Sequence, residues 1–297
     1  MVGRRLRAVL TLPVTAARWW HRITTAPLAE QWLLVVALPG LLSLGWLLGI
    51  GDGLGFSLAA ESLVADPRTL LTAFTANFIH VSARHLLDNL LNFWITLFGL
   101  YPLVAIAGWE ARFRRLAVVY CTVVPFVVAW VTLATLGQVT DQLSVGFSGV
   151  VAAFLGFLPL ALAAAAGRAT GGDLDPAWGV VPFLGSLAIV FVTPSVWYFP
   201  AQPTLAAGCL GFALLAAAGL WWADEPANLR GYSRQLSADE ELAFLIGVTV
   251  FGTGVAGALV IVPRGTNVWG HLTGYVAGFL IPYLWYVVGP ALRARTP

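Results

Sequence analysis

Eight runs of mostly apolar residues dominate this chain, at 32–50, 86–107, 116–136, 147–166, 180–199, 204–222, 242–262 and 268–289. An apolar helix of about 20 residues matches the thickness of a bilayer's hydrocarbon core. Inside lipid every backbone N–H and C=O must be satisfied within the segment, so runs of this length form helices. The expected fold is therefore an all-α polytopic membrane protein with about eight transmembrane helices. Composition agrees: 59% of the residues are hydrophobic and 10% charged, against about 25% charged in a soluble domain. A net charge of +2 gives no basis for a nucleic-acid partner. Cys121 and Cys209 sit singly in apolar runs, without metal-ligand spacing, and no cofactor or metal is expected. Residues 1–27 are Arg-rich and lack the apolar stretch of a cleavable signal.

The basic residues set the orientation. All sixteen are Arg; with the N-terminus inside, thirteen fall in inner segments, and three (Arg68, Arg84, Arg264) fall outside. Positive charge accumulates on the cytoplasmic side, so both termini are expected there, with the protein in the cell membrane. The three prolines of TPSVWYFPAQPT (193–204) divide the fifth run from the sixth. The charged stretch 223–241 reads as a cytoplasmic loop, and 51–79 as an outer connection in which LVADPRTLLTAF (63–74) suggests a short interfacial helix.

Polar side chains within membrane segments are costly and point to function. Three groups stand out. HVSARHLLDNLLNFW (80–94) supplies His80, His85 and Asn89, the last two one helical turn apart. VGFSGVVAAFLG (145–156) places Ser148 between Gly146 and Gly149 at the front of the fourth run. NVWGHLTGYVAGF (267–279) supplies His271. The second, fourth and eighth runs cross in the same direction, so all three groups lie at similar depth near the outer face. Ser148, Ala152 and Gly156 repeat along one helix face, as do His271, Gly274 and Gly278. Small residues of this kind allow close helix approach.

A serine hydroxyl becomes a nucleophile when a base takes its proton, and a neutral imidazole can do so. Neither the fourth nor the eighth run contains an acid, and Asp88 faces away from the His85/Asn89 side. The expected pair is a Ser148–His271 dyad rather than a triad. His85 and Asn89 offer side-chain N–H groups to an oxyanion, and the Ser148 backbone N–H lies at a helix start. Gly146 and Gly149 clear space for a substrate backbone.

These residues resemble the rhomboid family of intramembrane serine proteases. The resemblance rests on His80, His85 and Asn89 at spacings of five and four, on GFSG around Ser148, on GHLTGYVAG around His271, and on their order. It implies a rhomboid-like helical bundle with Ser148 as nucleophile and His271 as base. His85, Asn89 and Ser148 would form the oxyanion hole, supported by His80, Gly146 and Gly149. GWEARFRR (108–115) resembles the family's basic loop after its second helix. The implied division is a basic cytoplasmic segment (1–29), a rhomboid-like membrane domain (30–289) and a cytoplasmic tail (290–297). The implied substrates are single-span membrane proteins met in the lipid bilayer. The family core has six helices, so two of the eight runs are additions. The Trp-Arg pair common in the family's first outer loop is absent from 51–79. Ala152 stands where a stacking tyrosine often does, with Tyr275 the candidate replacement. These departures favour, as the alternative, a weak or silent rhomboid-like protein that binds membrane helices. A transporter is the third reading, but no internal repeat supports it.

Overall fold

A computed structural model describes residues 19–21, 32–51, 53–64, 66–171, 174–223 and 236–293. Most of segment 1–29, the centre of loop 223–241 and the last four residues lie outside the described residues. Each of the eight apolar runs is largely helical: α1 (Leu33–Leu47), α3 (Ala83–Ala107), α4 (Glu110–Thr122) with α5 (Val124–Leu136), α6 (Ser148–Ala169), α7 (Val180–Val192), α8 (Pro203–Ala223), α9 (Ala238–Val260) and α10 (Val268–Arg293), with α2 (Pro67–Thr75) between α1 and α3. Five of these, α3, α6, α8, α9 and α10, are long and apolar enough to cross a membrane, and α4–α5 makes a sixth if the bent pair is one span. The protein is thus a mostly helical membrane protein.

The remaining two runs form shorter helices than expected. The run at 180–199 stops being helical at Val192, because Pro194 lies just beyond its end and the chain turns through 193–202. α1 covers only 33–47 of its run. The third run bends by 42° at Val123: Pro125 has no N–H to return to the preceding turn. At the other terminus α10 continues to Arg293, so the helix runs past the expected tail boundary at 290. α2 forms where the interfacial helix was expected, with Asp66 capping its first turn through Arg68 N and Thr69 N.

α6 is the axis of the bundle. Its apolar window is 94% buried within the protein, against 56% for α3 and 11% for α8. α3, α9 and α10 pack around it, and α9 also packs against α3. α7 and α8 form a hairpin that leans on this group through α7. Phe154 sits at the centre, its ring meeting those of Phe93, Phe113 and Tyr120.

The contact between α6 and α10 is made by backbone. A Cβ on Gly274 would run into the Gly149 carbonyl, one on Gly278 into that of Ala153, and one on Gly156 into that of Tyr275. The seam therefore uses Gly149 and Ala153 beside the expected Ala152 and Gly156, which leaves Ser148 at its edge. At the same end, a two-residue ribbon pairs Phe56 with Ser144 and Ser57 with Leu143. Trp20 of the N-terminal segment stacks on Phe98, Trp19 meets the same ring at a tilt, and Trp19 Nε1 donates to the Asp239 carbonyl at 3.2 Å.

Candidate active site

Ser148 is the first residue of α6, and no side chain caps that helix start. Val150 N and Val151 N both donate to the Phe147 carbonyl, while the Ser148 and Gly149 N–H groups have no acceptor among the described residues. Unpaired amides at a helix start carry partial positive charge and suit an anion.

His271 lies on the first turn of α10. Its Nδ1 is 2.8 Å from the Ala258 carbonyl. That carbonyl is free for a reason written in the chain. α9 ends in a wide turn (Ala256–Val260) whose N–H groups reach back five residues, as Ile261 does to Ala256. The residue five beyond Ala258 is Pro263, which has no N–H. The imidazole fills the vacancy: Nδ1–H donates, and the lone pair is left on Nε2. This is the tautomer a base requires, obtained here from a backbone carbonyl where a triad uses a carboxylate.

Ser148 and His271 line one small chamber of about 30 Å³, together with Gly146, Gly149, Asn77, Ser144 and Asn267. A water needs at least about 10–15 Å³, so the chamber accommodates a group no larger than a carbonyl or a water or two. No carboxylate lines it. Ser148 Oγ makes no hydrogen bond to His271 or to any other described side chain, although the two line the same chamber. Such contacts are often loose without substrate.

His85 and Asn89 arrive from α3 against the glycine before Phe147. A Cβ on Gly146 would lie 2.7 Å from His85 Nε2 and 3.4 Å from Asn89 Nδ2, and its φ of +122° is one that side-chain-bearing residues rarely adopt. Ser82 starts α3 by accepting from His85 N at 3.2 Å. Asn89 Nδ2 lies 2.9 Å from His80 Nε2, and the two histidine rings meet edge to face at 5.1 Å. With Nε2 accepting, the His80 proton sits on Nδ1, which is buried without a partner. All seven residues singled out in the sequence thus lie at one end of the bundle: Gly146, Ser148, Gly149 and His271 line the chamber, and His80, His85 and Asn89 lie outside its lining.

His80 precedes α3 and stays neutral. Burial first, and then the neighbouring His85, push its pKa from 6.5 down to about 4. The unfolded chain binds this proton more readily, so the contribution to stability is complete above pH 6.5 and declines as the pH falls toward 4. Ring resonances of His80 should titrate with a midpoint near 4, and thermal stability should fall within that window. A midpoint at the ordinary value would mean that the ring is not buried.

Sequence reasoning missed the residues that hold α10 in place. Asn267 caps it, its Oδ1 accepting from Gly270 N at 2.8 Å, while Nδ2 reaches Thr132 Oγ1 at 2.9 Å and Ser144 Oγ at 3.4 Å. One side chain thereby ties the histidine helix to α5 and to the strand just before Ser148. An Asn directly ahead of an apolar run was a readable cap signal; its partners were not. Tyr275 does not take the role considered for it. Its ring stacks on Phe183 and its hydroxyl meets Ser186 Oγ at 2.6 Å, which commits it to α7.

Comparison with family models, curated proteins and solved structures gives no match for this chain.

Proposed function

We propose that the protein is a rhomboid-type intramembrane serine protease that cuts transmembrane or juxtamembrane segments of other membrane proteins. The observation that carries this reading is the single chamber lined by Ser148 and His271, with the base held through Nδ1 by Ala258. In the proposed reaction Ser148 Oγ attacks a peptide carbonyl as its proton passes to His271 Nε2. The carbonyl electrons move onto oxygen, facing the Ser148 backbone N–H and the His85 and Asn89 side chains. Collapse expels the amine, which takes the proton from Nε2 and leaves an acyl–Ser148. Water, deprotonated by the same nitrogen, then releases the acid and restores the hydroxyl. The reading includes eight crossings, with both termini cytoplasmic. The poorly buried α8 supports taking α7–α8 as the pair added to a six-helix core.

The test is labelling of the purified protein by a fluorophosphonate, alongside cleavage of a single-span substrate. Labelling is expected and should vanish in Ser148→Ala. Labelling that survives this change, or that is indifferent to His271→Ala, rejects the dyad. Asn89→Ala should lower kcat by about 10²-fold with little change in KM, as loss of one oxyanion donor does. A KM effect alone would place Asn89 in binding instead. The unbonded Ser148 Oγ favours the second reading, a rhomboid-like protein that binds helices without cutting them. Neither labelling nor cleavage, with retained substrate binding, is its signature.

A further inference from the structure

Beside the chamber lies a much larger cavity, of about 1010 Å³. Its walls are mainly three connections at the site end of the bundle, the α5–α6 segment through Gln142 and Leu143, the α7–α8 turn with Ser195 and Trp197, and the α9–α10 turn with Arg264, with Leu58 added from the α1–α2 connection. Ser144 and Asn267 line both this vestibule and the chamber, so the two spaces share a wall. Pockets that hold drug-sized ligands run to about 300–1,000 Å³, which makes the vestibule large enough for several residues of peptide.

Its chemistry narrows the occupant. Among the described residues Arg264 is the only charged one on the lining, and it has no ion-pair partner. A lone guanidinium matches one carboxylate through two parallel N–H donors. Phosphate headgroups carry more charge, and nothing else here meets it: the lining has no second cation. The rest alternates apolar surface (Leu136, Trp197) with amide and hydroxyl groups (Gln142, Ser195). An extended peptide needs both, apolar contact for its side chains and polar partners for its backbone.

We infer that the vestibule is a second subsite, which holds an extended peptide segment bearing an Asp or Glu side chain on Arg264. Resting on the protease reading, this assigns the substrate class: segments with an acidic residue on the flank beyond the chamber.

The experiment measures both binding and cleavage with the full chain in detergent. Fluorescent peptides that differ only in Glu against Gln are titrated into the Ser148→Ala protein. The acidic peptide should bind about tenfold more tightly, the scale of one charge-assisted pair. Arg264→Gln should erase this advantage and Arg264→Glu should transfer it to a Lys peptide. Trp197→Ala, on the same wall and 79% exposed, should weaken both peptides. Equal binding of the Glu and Gln peptides, or a preference that survives Arg264→Glu, overturns the subsite. Displacement of the peptide by inorganic phosphate or by anionic vesicles at equal charge overturns the peptide class. In the Ser148-intact protein, cleavage without an Arg264-dependent preference keeps the protease and removes the subsite. Arg264-dependent binding with no cleavage keeps the subsite and removes the protease.

Discussion

Gly274→Val is expected to destabilise the protein by roughly 3 kcal/mol or more, at or above the upper end for overpacked cores, and to abolish chemistry at the chamber. Even a Cβ at this position would occupy the space of the Gly149 carbonyl oxygen. Relief requires α6 and α10 to part, because the obstacle is backbone and cannot rotate away. Parting breaks the whole seam, since Gly278 and Gly156 make the same kind of contact further along. It also moves His271 away from Ser148, as each sits on one side of that seam. The measurement is unfolding in mixed detergent micelles, with Gly208→Ala on α8 as the comparison. Nothing lies within 4 Å of a Cβ at Gly208, and the change should be neutral or slightly stabilising. Equal stability of Gly274→Val and the parent protein would show that the two helices do not meet by backbone.

His271→Ala is expected to lower kcat/KM by at least about 10³-fold, as removal of the base in a serine hydrolase does. The ring does two jobs here. In the proposed reaction it offers Nε2 to the serine, and in the structure its Nδ1 satisfies the Ala258 carbonyl. Loss of the second job costs stability by about 1–3 kcal/mol, the usual penalty for a buried group left unpaired. The two effects are separable. Added imidazole can enter the space vacated by the side chain and should restore part of the activity, whereas a damaged fold gains nothing from it. Full activity without His271 would remove this residue from the chemistry.

The helices were legible because lipid leaves an apolar run little choice: eight segments were read as spans, each is largely helical, and five, or six with the bent pair, are long and apolar enough to cross. The candidate site was legible for a similar reason. Polar groups are rare in such segments, so His80, His85, Asn89, Ser148 and His271 stood out. Where a helix stops or bends was harder to read. The short α7 and the bend at Val123 turn on single prolines, whose effect depends on where neighbouring helices allow the chain to deviate.

By itself, then, the sequence determined a bundle of apolar helices and the polar candidates clustered at one end of it, since both follow from which side chains tolerate lipid. Tertiary structure alone decided how those residues are held. The imidazole's tautomer rests on Ala258, thirteen residues away. The start of α10 is tied by Asn267 to Thr132 and Ser144, and Tyr275 is claimed by Ser186. These partners are brought together by packing between helices, and no local pattern of residues encodes which hydrogen bonds that packing makes.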